Sequence, residues 1–467
     1  MTRKLLKALA NPPAEFRGKP FWAWNGKLVP EELRRQIRVM KAMGLGGFFM
    51  HSRVGLETPY LSEEWFECVR ACVDEAKKQK MEAWLYDEDR WPSGAAGGLV
   101  TREPKYRSRL LVMQQLQSIR QVRNVQNILG VWLADFDGNR CVSTQPVQMD
   151  ALQEPAEHQR LLCFYVEIQA ASDWYNGQTY LDTLNPEAVK RFIEVTHEAY
   201  RRHCGDDFGK AIPGIFTDEP NWRQARASEF HYPWTDLFPE KFRERYGYDL
   251  LALLPHLAFD IDERSRQIRW HFYDCATWLF TTSFAKQIGD WCQANNLLFT
   301  GHVLMEETLQ SQTNVVGAAM RFYEHMQAPG MDLLTEYKRE YHTAKQVSSV
   351  ARQFNRRWRL TETYGCTGWH FPLAGHKALG DWQLALGINL RCHHLTWYTM
   401  EGQAKRDFPA GIFHHSPWWR IYSVIEDYFA RCHVLFSRGR EIRDIAVIHP
   451  IESMWILQNH DIDPGLR

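Results

Sequence analysis

The stretch of residues 20–53, PFWAWNGKLVPEELRRQIRVMKAMGLGGFFMHSR, decides the fold. It begins with the apolar run 20–25 and ends with a second one at 46–53. Between them, Pro30 stands at the first position of a predicted helix, and the two glutamates that follow it favour a helix start. Apolar residues then repeat at the spacing of one buried helix face. The stretch is therefore a strand–helix–strand unit, which is typical of a parallel sheet.

The same alternation continues along the chain. Further strands are predicted at residues 82–89, 213–220, 297–304, 331–337, 357–365 and 394–400. Helices fit between most of them, so the pattern predicts eight parallel strands, the number that closes a (β/α)8 TIM barrel. An open doubly wound sheet is the alternative, but it would need a glycine-rich phosphate turn after the first strand. The turn there, Trp24-Asn25-Gly26-Lys27, is no such fingerprint, and the barrel is favoured.

Two parts of the chain depart from this alternation. Residues 107–170 show period-two stretches and a hairpin signal at Asp137-Gly138, which predicts a β-rich insertion after strand three. The insertion interrupts a catalytic barrel assigned to residues 1–440. Residues 442–450 read as one more strand, so 441–467 are predicted to begin a further, incomplete α/β domain.

Composition narrows the classes of function. The 467 residues carry 56 basic and 56 acidic side chains, so no basic field points to nucleic acid or to an anionic membrane surface. No apolar run is long enough to span a bilayer. The ten cysteines form no CxxC pair, which favours free thiols and a cytoplasmic protein. The 19 Trp, 18 Tyr and 25 Phe fill a core, and some of them offer flat surfaces to a sugar. Nothing in the sequence indicates an oligomeric state.

In a barrel, the functional residues gather at the carboxyl ends of the strands. The candidates predicted there for substrate binding are Trp24, Asn25, His51, Arg53, Asp87, Asp89, Arg90, Trp91, Asp218, Asn221, His302, Glu336, Tyr364, Trp369, Trp397 and Tyr398. Taken singly, each charged one could be a structural partner and each aromatic one, Trp397 above all, a core residue. The glycines at 94, 97 and 98 make a turn into a helix that could hold an anion or be only a turn.

Two carboxylates suit the cleavage of a glycosidic bond. Glu219 follows strand four and Glu362 lies on strand seven, on facing parts of an eight-stranded circle. Hydrolysis needs one carboxyl group that protonates the leaving oxygen and one carboxylate that attacks or activates water. Asp218, Glu336 and Glu88 compete for the same roles, so the assignment stays open on these grounds.

Five motifs carry a family resemblance: PFWAW (20–24), GGFFMHSR (46–53), WLYDEDRWPSGAAGG (84–98), FTDEPN (216–221) and TETYG (361–365). They resemble the catalytic barrel of glycoside hydrolase family 106, the α-L-rhamnosidases, and more distantly the clan of barrel β-galactosidases. The resemblance implies a carbohydrate substrate, an α-L-rhamnoside, and a calcium requirement, for which the sequence assigns no ligands. It also implies that Glu219 is the general acid and that Glu362 is the general base of an inverting enzyme.

Other functions stay open at this point. A retaining exo-β-glycosidase of the β-galactosidase type would use Glu362 as its nucleophile. A barrel that binds carbohydrate without catalysis is a further reading, although both glutamates stand in intact motifs. A metal-dependent amidohydrolase would want an HxH pair at the end of strand one, and none is present there.

Overall fold

A computed structural model of the chain describes residues 3–222, 231–335, 340–439 and 441–459. The strands, in chain order, are β1 (Phe21–Gly26), β2 (Gly47–Leu56), β3 (Glu82–Tyr86), β4 (Arg109–Leu116), β5 (Ile128–Asp137), β6 (Arg140–Val147), β7 (Gln159–Ile168), β8 (Gly214–Asp218), β9 (His231–Trp234), β10 (Leu298–His302), β11 (Ala328–Asp332), β12 (Leu360–Thr363), β13 (Leu390–His393) and β14 (Thr396–Trp397).

The helices are α1 (Arg3–Ala10), α2 (Pro30–Ala42), α3 (Glu63–Gln79), α4 (Ile119–Arg123), α5 (Pro186–Val195), α6 (His197–Cys204), α7 (Phe238–Tyr246), α8 (Pro255–Ala258), α9 (Arg264–Phe280), α10 (Gln287–Ala294), α11 (Leu309–Val315), α12 (Ala319–Tyr323), α13 (Tyr341–Gln353), α14 (Leu373–Ala385), α15 (Ser423–Phe436) and α16 (Ile451–Leu457). A π-helical turn joins α9 to α10. Within the described ranges, no helix has both the length and the apolar character that a bilayer crossing requires.

The predicted (β/α)8 barrel is confirmed. Nine strands form one parallel sheet in the order β13-β12-β11-β10-β8-β3-β2-β1-β14. The short strands β13 and β14 are consecutive in the chain and together fill the eighth position. Because β13 pairs with β12 and β14 pairs with β1, the sheet curves into a nearly closed barrel. Closure brings the carboxyl ends of all eight positions to one rim.

The interior of the barrel is packed with aromatic rings. Phe21, Phe49 and Phe216 come from β1, β2 and β8, and their ring centroids lie 4.7 to 5.8 Å apart in edge-to-face contacts. The Tyr86 ring joins this layer, and its hydroxyl points to the carboxyl rim, where it donates a hydrogen bond to Asp218. The aromatic layer thus forms the apolar floor on which the polar side chains of the rim stand.

The β-rich insertion forms a separate antiparallel sheet. Strands β4 to β7 lie within the predicted residues 107–170, and β5 and β6 form the hairpin at Asp137-Gly138. The sheet has five strands in the order β6-β5-β7-β4-β9. The fifth, β9, comes from the segment that follows β8, a pairing that the sequence did not reveal.

Two of the predicted barrel strands are displaced from their predicted positions. The sixth begins at Ala328 instead of residue 331. The first part of the eighth, β13, begins at Leu390 instead of residue 394, while its second part, β14, lies within the predicted residues 394–400. Pro329 and Gly330 are weak strand formers, so the sequence pattern did not show that the sixth strand begins before them. In the other strand, buried charged side chains interrupt the apolar pattern at Arg391 and His393. The prediction therefore placed the ends of both strands too late in the chain.

The strand predicted at residues 442–450 is not formed in this structure, and the further, incomplete domain at 441–467 stays a prediction. These residues form no strand, and Ile442, Ile445, Val447 and Ile448 are each more than four-fifths exposed. An isolated strand has no neighbour to accept its backbone hydrogen bonds. Helix α16 then returns to the barrel wall, where the buried Trp455 donates a hydrogen bond to the carbonyl of Gly317 at 3.0 Å.

Candidate active site

Glu219 occupies a strained turn immediately after β8. Its φ is +50°, a left-handed conformation that a residue with a side chain rarely adopts. The turn is held from both sides, because the Glu219 N–H donates to the carbonyl of His302 at 3.1 Å and its own carbonyl accepts from Asn221 Nδ2 at 2.9 Å. The side chain is half-buried. Strain that is fixed in this way commonly marks a functional position.

Glu362 lies at the end of β12 in contact with an imidazole from β10. His302 Nε2 is 2.9 Å from Glu362 Oε2 and 3.4 Å from Asp218 Oδ1. The second imidazole nitrogen, Nδ1, lies 3.3 Å from the carbonyl of Val303. His302 therefore bridges the acids of β8 and β12 across the rim, with an acceptor beside each of its nitrogens.

The pKa values of Glu219, Glu362 and His302 are all raised above those of the isolated side chains. Burial raises the pKa of Glu219 well above its usual range, and the neighbouring carboxylates Asp218 and Asp332 raise it further. Burial also raises the pKa of Glu362, to about 8, against the lowering effect of His302. For His302, burial alone would lower the pKa, but the Glu362 hydrogen bond and the surrounding carboxylates raise it well above 6.5. The imidazole and the two glutamates therefore each release a proton at higher pH than the isolated side chain would.

Asp332 is a member of this cluster that the sequence did not reveal. It ends β11 and lies beside Glu362 in the sheet register. Its backbone N–H donates to Glu306 Oε1 at 2.8 Å, and its charge raises the pKa of both Glu219 and Glu362. The signal that could have found it is the Asp that follows the short run Ala328–Met331, once Pro329 and Gly330 are accepted within a strand.

Arg53 from β2 approaches the cluster from the opposite side. Its guanidinium forms two hydrogen bonds with the Asp407 carboxylate, at 2.8 and 3.0 Å. It also lies 3.0 Å from His51 Nε2 and 3.3 Å from His394 Nε2. His394, which the sequence did not single out, has its Nε2 3.9 Å from Glu362 Oε1. Both His51 and Arg53 therefore lie at the predicted rim, but they face protein groups as well as the site.

The carboxyl groups that follow β3 form hydrogen bonds mainly with other groups of the protein. The Glu88 carboxylate accepts backbone N–H bonds from Asp89, Gly94, Ala96 and Gly97 at 2.5 to 2.8 Å. The predicted helix does not follow the glycine turn, and the group that the turn holds is the protein's own Glu88 carboxyl. This leaves Glu88 no role as a competitor of Glu219 or Glu362.

Ser93 couples Asp87 to Asp218. Its hydroxyl donates to Asp87 Oδ1 at 2.6 Å and accepts from the Asp218 N–H at 2.8 Å. Tyr86 donates to the other side of Asp218, with its hydroxyl 2.6 Å from Oδ2. Asp218 is thus fixed by protein groups and supports the site, while Asp87 is fully buried beneath it.

Asp89 and Arg90 pair with each other and with Asn176. Their closest ion-pair atoms are 3.2 Å apart, and the Arg90 guanidinium lies 2.6 Å from Asn176 Oδ1. Ser52 donates a further hydrogen bond to Asp89 Oδ1 at 2.6 Å. These two predicted binding residues therefore brace the loop after β3.

An open cavity of about 590 Å³ lies beside Arg53. Its walls include the rings of Trp91, Trp174 and Phe408 together with the charged side chains of Arg406 and Asp407. The Arg53 guanidinium stacks 4.1 Å from the Trp91 ring centroid. Asp407 both lines the cavity and pairs with Arg53, so the cavity lies next to the Arg53 side of the cluster. Flat rings and a few charged groups are suited to a sugar.

The remaining predicted residues are distributed as follows. Trp24, Tyr364, Trp397 and Tyr398 are buried among core side chains, so their predicted contact with substrate is not supported. Asn25 ties β1 to Thr399, and Asn221 supports the Glu219 turn. Trp369 is 40% exposed, and its indole donates to the carbonyl of Lys405. Glu336 lies outside the described residues.

Potential metal ligands cluster at one place in the described part of the chain. The side chains there are Asp218, His302 and Glu362, and their ligand atoms lie within 4.8 Å of one another. Calcium takes six to eight oxygen ligands. This trio instead presents an imidazole already shared between two carboxylates, so it does not fit calcium.

Comparison with known proteins gives a consistent result. A family model for glycoside hydrolase family 106, described as alpha-L-rhamnosidase, matches residues 171–456. A curated relative from Formosa agariphila, named "Putative beta-glucuronidase", is 25% identical in an alignment 506 residues long. The alignment covers 94% of this chain and 42% of the relative.

Two solved structures share the fold. A rhamnosidase from Novosphingobium sp. PP1Y superposes with a TM-score of 0.67 at 15% identity, covering 93% of this chain and 61% of that one. A beta-galactosidase from the psychrophilic Marinomonas ef1 gives 0.50 at 11% identity, covering 87% and 59%. The chain thus spans less than half the length of the curated relative and about three-fifths of each of these structures.

Proposed function

This chain belongs to glycoside hydrolase family 106, and we propose that it hydrolyses the bond to a terminal sugar, an α-L-rhamnoside, with Glu219 as general acid and Glu362 as general base. One observation carries the proposal. Glu219 follows β8 and Glu362 lies at the end of β12; the Glu219 N–H donates to the carbonyl of His302, whose imidazole contacts Glu362 and Asp218.

The surroundings of Glu219 suit a proton donor. Burial and the carboxylates of Asp218 and Asp332 raise its pKa, so it retains its proton to higher pH than an isolated glutamate does. Its side chain is half-buried and accessible from the rim. The left-handed turn fixes the backbone beneath it. A leaving glycosidic oxygen within hydrogen-bond reach of Glu219 would receive this proton.

The surroundings of Glu362 suit a base that works beside a cation. His302 donates to one carboxylate oxygen at 2.9 Å, and the other lies 3.9 Å from His394. The imidazolium stabilises the ionised carboxylate, which then accepts a proton from the attacking water. As that proton arrives, His302 and the surrounding acids keep the carboxyl group oriented.

The substrate side of the proposal rests on the aromatic cavity. Trp91, Trp174 and Phe408 provide apolar faces for a sugar ring. Asp407 and Arg406 provide hydrogen-bonding groups for its hydroxyls. The cavity adjoins Arg53, whose guanidinium lies 3.3 Å from His394, and His394 lies 3.9 Å from Glu362, so a sugar bound in the cavity would lie near the proposed base.

A second candidate is a retaining exo-β-glycosidase with Glu362 as nucleophile. Its support is the likeness over 94% of this chain to the curated relative named for glucuronide cleavage, together with the barrel shared with the beta-galactosidase. A nucleophilic Glu362 would attack the sugar carbon itself, and Glu219 would act first as acid and then as base.

Proton NMR of an aryl α-L-rhamnoside during turnover tests both candidates. Release of β-rhamnose first, with inversion, supports a base role for Glu362. Release of the α-anomer identifies Glu362 as a nucleophile. Turnover of an aryl β-glucuronide with none of the rhamnoside would overturn the substrate proposal. Unchanged hydrolysis in both E219Q and E362Q would overturn the assigned residues.

A further inference from the structure

A second polar cavity lies at the end of the barrel opposite to the proposed active site. Its volume is about 710 Å³, and it lies between the end of α13 and the segment that follows α15. Arg359 comes immediately before β12, whose other end carries Glu362. The length of β12 therefore separates this cavity from the catalytic cluster.

Arginine dominates the lining of this cavity. Five arginines line it, at positions 352, 356, 357, 359 and 438, against one acid, Glu441. Glu441 forms ion pairs with Arg352 and Arg359, while Arg357 pairs with Glu15 outside the cavity. The charge of the lining is therefore strongly positive after the internal pairs are counted.

Several of these guanidinium groups have unused donors. Within the described residues, the Nε atoms of Arg352, Arg356 and Arg359 are buried and have no hydrogen-bond acceptor. Arg359 is only 7% exposed, and its backbone is fixed because its N–H donates to Asn389 Oδ1 at 2.8 Å. A buried guanidinium with an unmade hydrogen bond is costly, and an anion in the cavity would remove that cost.

The mutual repulsion of the arginine side chains also favours a bound anion. Burial and the neighbouring cations lower the pKa of Arg352 and Arg359. A bound anion would offset this repulsion directly. Guanidinium groups present two parallel N–H donors that match the oxygens of a tetrahedral oxyanion, and they are preferred where phosphate or sulfate is recognised.

We propose that this arginine-lined cavity binds a ligand carrying a phosphate or sulfate group, with Arg352, Arg356 and Arg359 as the donors. The cavity is larger than the inorganic anion, so it leaves room for the small molecule or sugar to which that group is attached. The site is separate from the proposed hydrolysis and does not depend on it.

Calorimetric titration of the whole chain with sodium phosphate and with sodium sulfate, at ionic strength held constant with sodium chloride, tests the proposal. We expect saturable binding of an oxyanion that is at least tenfold weaker in R359Q and in R356Q. R266Q changes an exposed arginine of α9 and should bind as the parent does. Circular dichroism checks the fold of each variant, and R356Q serves if R359Q does not fold.

The relative affinities identify the source of the group. Tighter binding of phosphate indicates a phosphorylated ligand, and tighter binding of sulfate indicates a sulfate ester. Heat changes equal to those with chloride alone would overturn the proposal, as would binding that both variants leave unchanged. Binding of a hexaglutamate peptide without binding of either inorganic anion would also overturn it and would indicate a contact with protein.

Discussion

His302 Nε2 lies 2.9 Å from Glu362 Oε2, and this contact joins β10 to β12 across the rim of the barrel. The same nitrogen lies 3.4 Å from Asp218 Oδ1 on β8. A single imidazole thus connects three strand ends. It contacts one carboxyl oxygen of Glu362 and lowers the pKa that burial and Asp332 raise, so the properties of this glutamate depend on its neighbours as well as on its own position.

Replacing this histidine should change the pH dependence of activity. In H302N the cation that lowers the pKa of Glu362 is gone, so the base ionises at higher pH. We expect the acidic limb of the kcat/KM profile to move upward and kcat to fall about 10- to 100-fold, the size of a lost charge-assisted hydrogen bond. H414N, at a half-buried histidine beside Phe413, is the control. An unmoved acidic limb in H302N would contradict the role.

The parent chain should itself work at higher pH than two isolated glutamates would allow. The base must be ionised and the acid protonated, so activity lies between their two pKa values. Burial raises both, that of Glu362 to about 8. A profile of kcat/KM against pH should therefore be a bell displaced towards neutral and alkaline pH. An acidic limb near pH 4.5 would argue against a buried Glu362 as the base.

The effect of replacing Glu219 on the rate of hydrolysis should depend on the leaving group. E219Q cannot donate a proton, so hydrolysis of glycosides with poor leaving groups should fall by about 10²- to 10⁴-fold. A dinitrophenyl glycoside, which departs without protonation, should be affected far less. E57Q, at an exposed residue just beyond β2, is the matched control. Equal losses with both kinds of leaving group would exclude the acid role.

Trp91 should contribute to sugar binding. Its ring lines the aromatic cavity and lies over Arg53. We expect W91A to raise KM for a disaccharide roughly three- to tenfold, the value of a lost aromatic contact, and W91F to retain part of the binding. W419A changes a tryptophan that does not line the cavity and should leave KM unchanged. If W91A matches the parent in KM, the cavity is not where the sugar binds.

The stability of the barrel should depend on a buried ion pair behind the site. Glu426 on α15 accepts from Arg391 Nη2 and from His393 Nε2, both at 2.8 Å. E426Q leaves the buried Arg391 without its counter-ion, so we expect a loss of about 3–5 kcal/mol in the free energy of unfolding. D427N breaks a partly exposed pair with Arg17 and should cost about 1 kcal/mol or less.

The sign of the pH effect provides a second check on Glu426. Burial by itself would raise the pKa of this carboxyl, but Arg391 and His393 hold it well below its usual range. A depressed folded pKa gives stability that is present above about pH 4.5, the ordinary value, and is lost as pH falls below it. Urea unfolding at pH 7 and pH 4 should therefore show a smaller difference between E426Q and the parent at the lower pH. An equal difference at both would mean that the pair is not ionic.

The sequence by itself determined the barrel and the rim on which Glu219 and Glu362 lie, but it left the choice among the rim acids open. Apolar runs alternate with helical periodicity from residue 20 onward, and this period is enough to specify parallel strands with helices between them. Acids directly after apolar strands, as at Glu219 and Glu362, then fall at one rim whatever the details of packing. Both inferences rest on local sequence patterns, so they need no knowledge of the tertiary structure.

Only the tertiary structure decided which polar groups meet. The contacts of His302 with Glu362, and of Arg53 with Asp407 and His394, join residues far apart in the chain. Strand ends also had to be fixed to within a residue before Asp332 could be found.

Burial separated the candidates further, since Tyr364 and Trp397 face the core while Trp91 faces a cavity. Glu88 serves the glycine turn instead of a substrate. Proximity and exposure are properties of the closed barrel, because closure brings eight separate strand ends together, and no local stretch of sequence contains them.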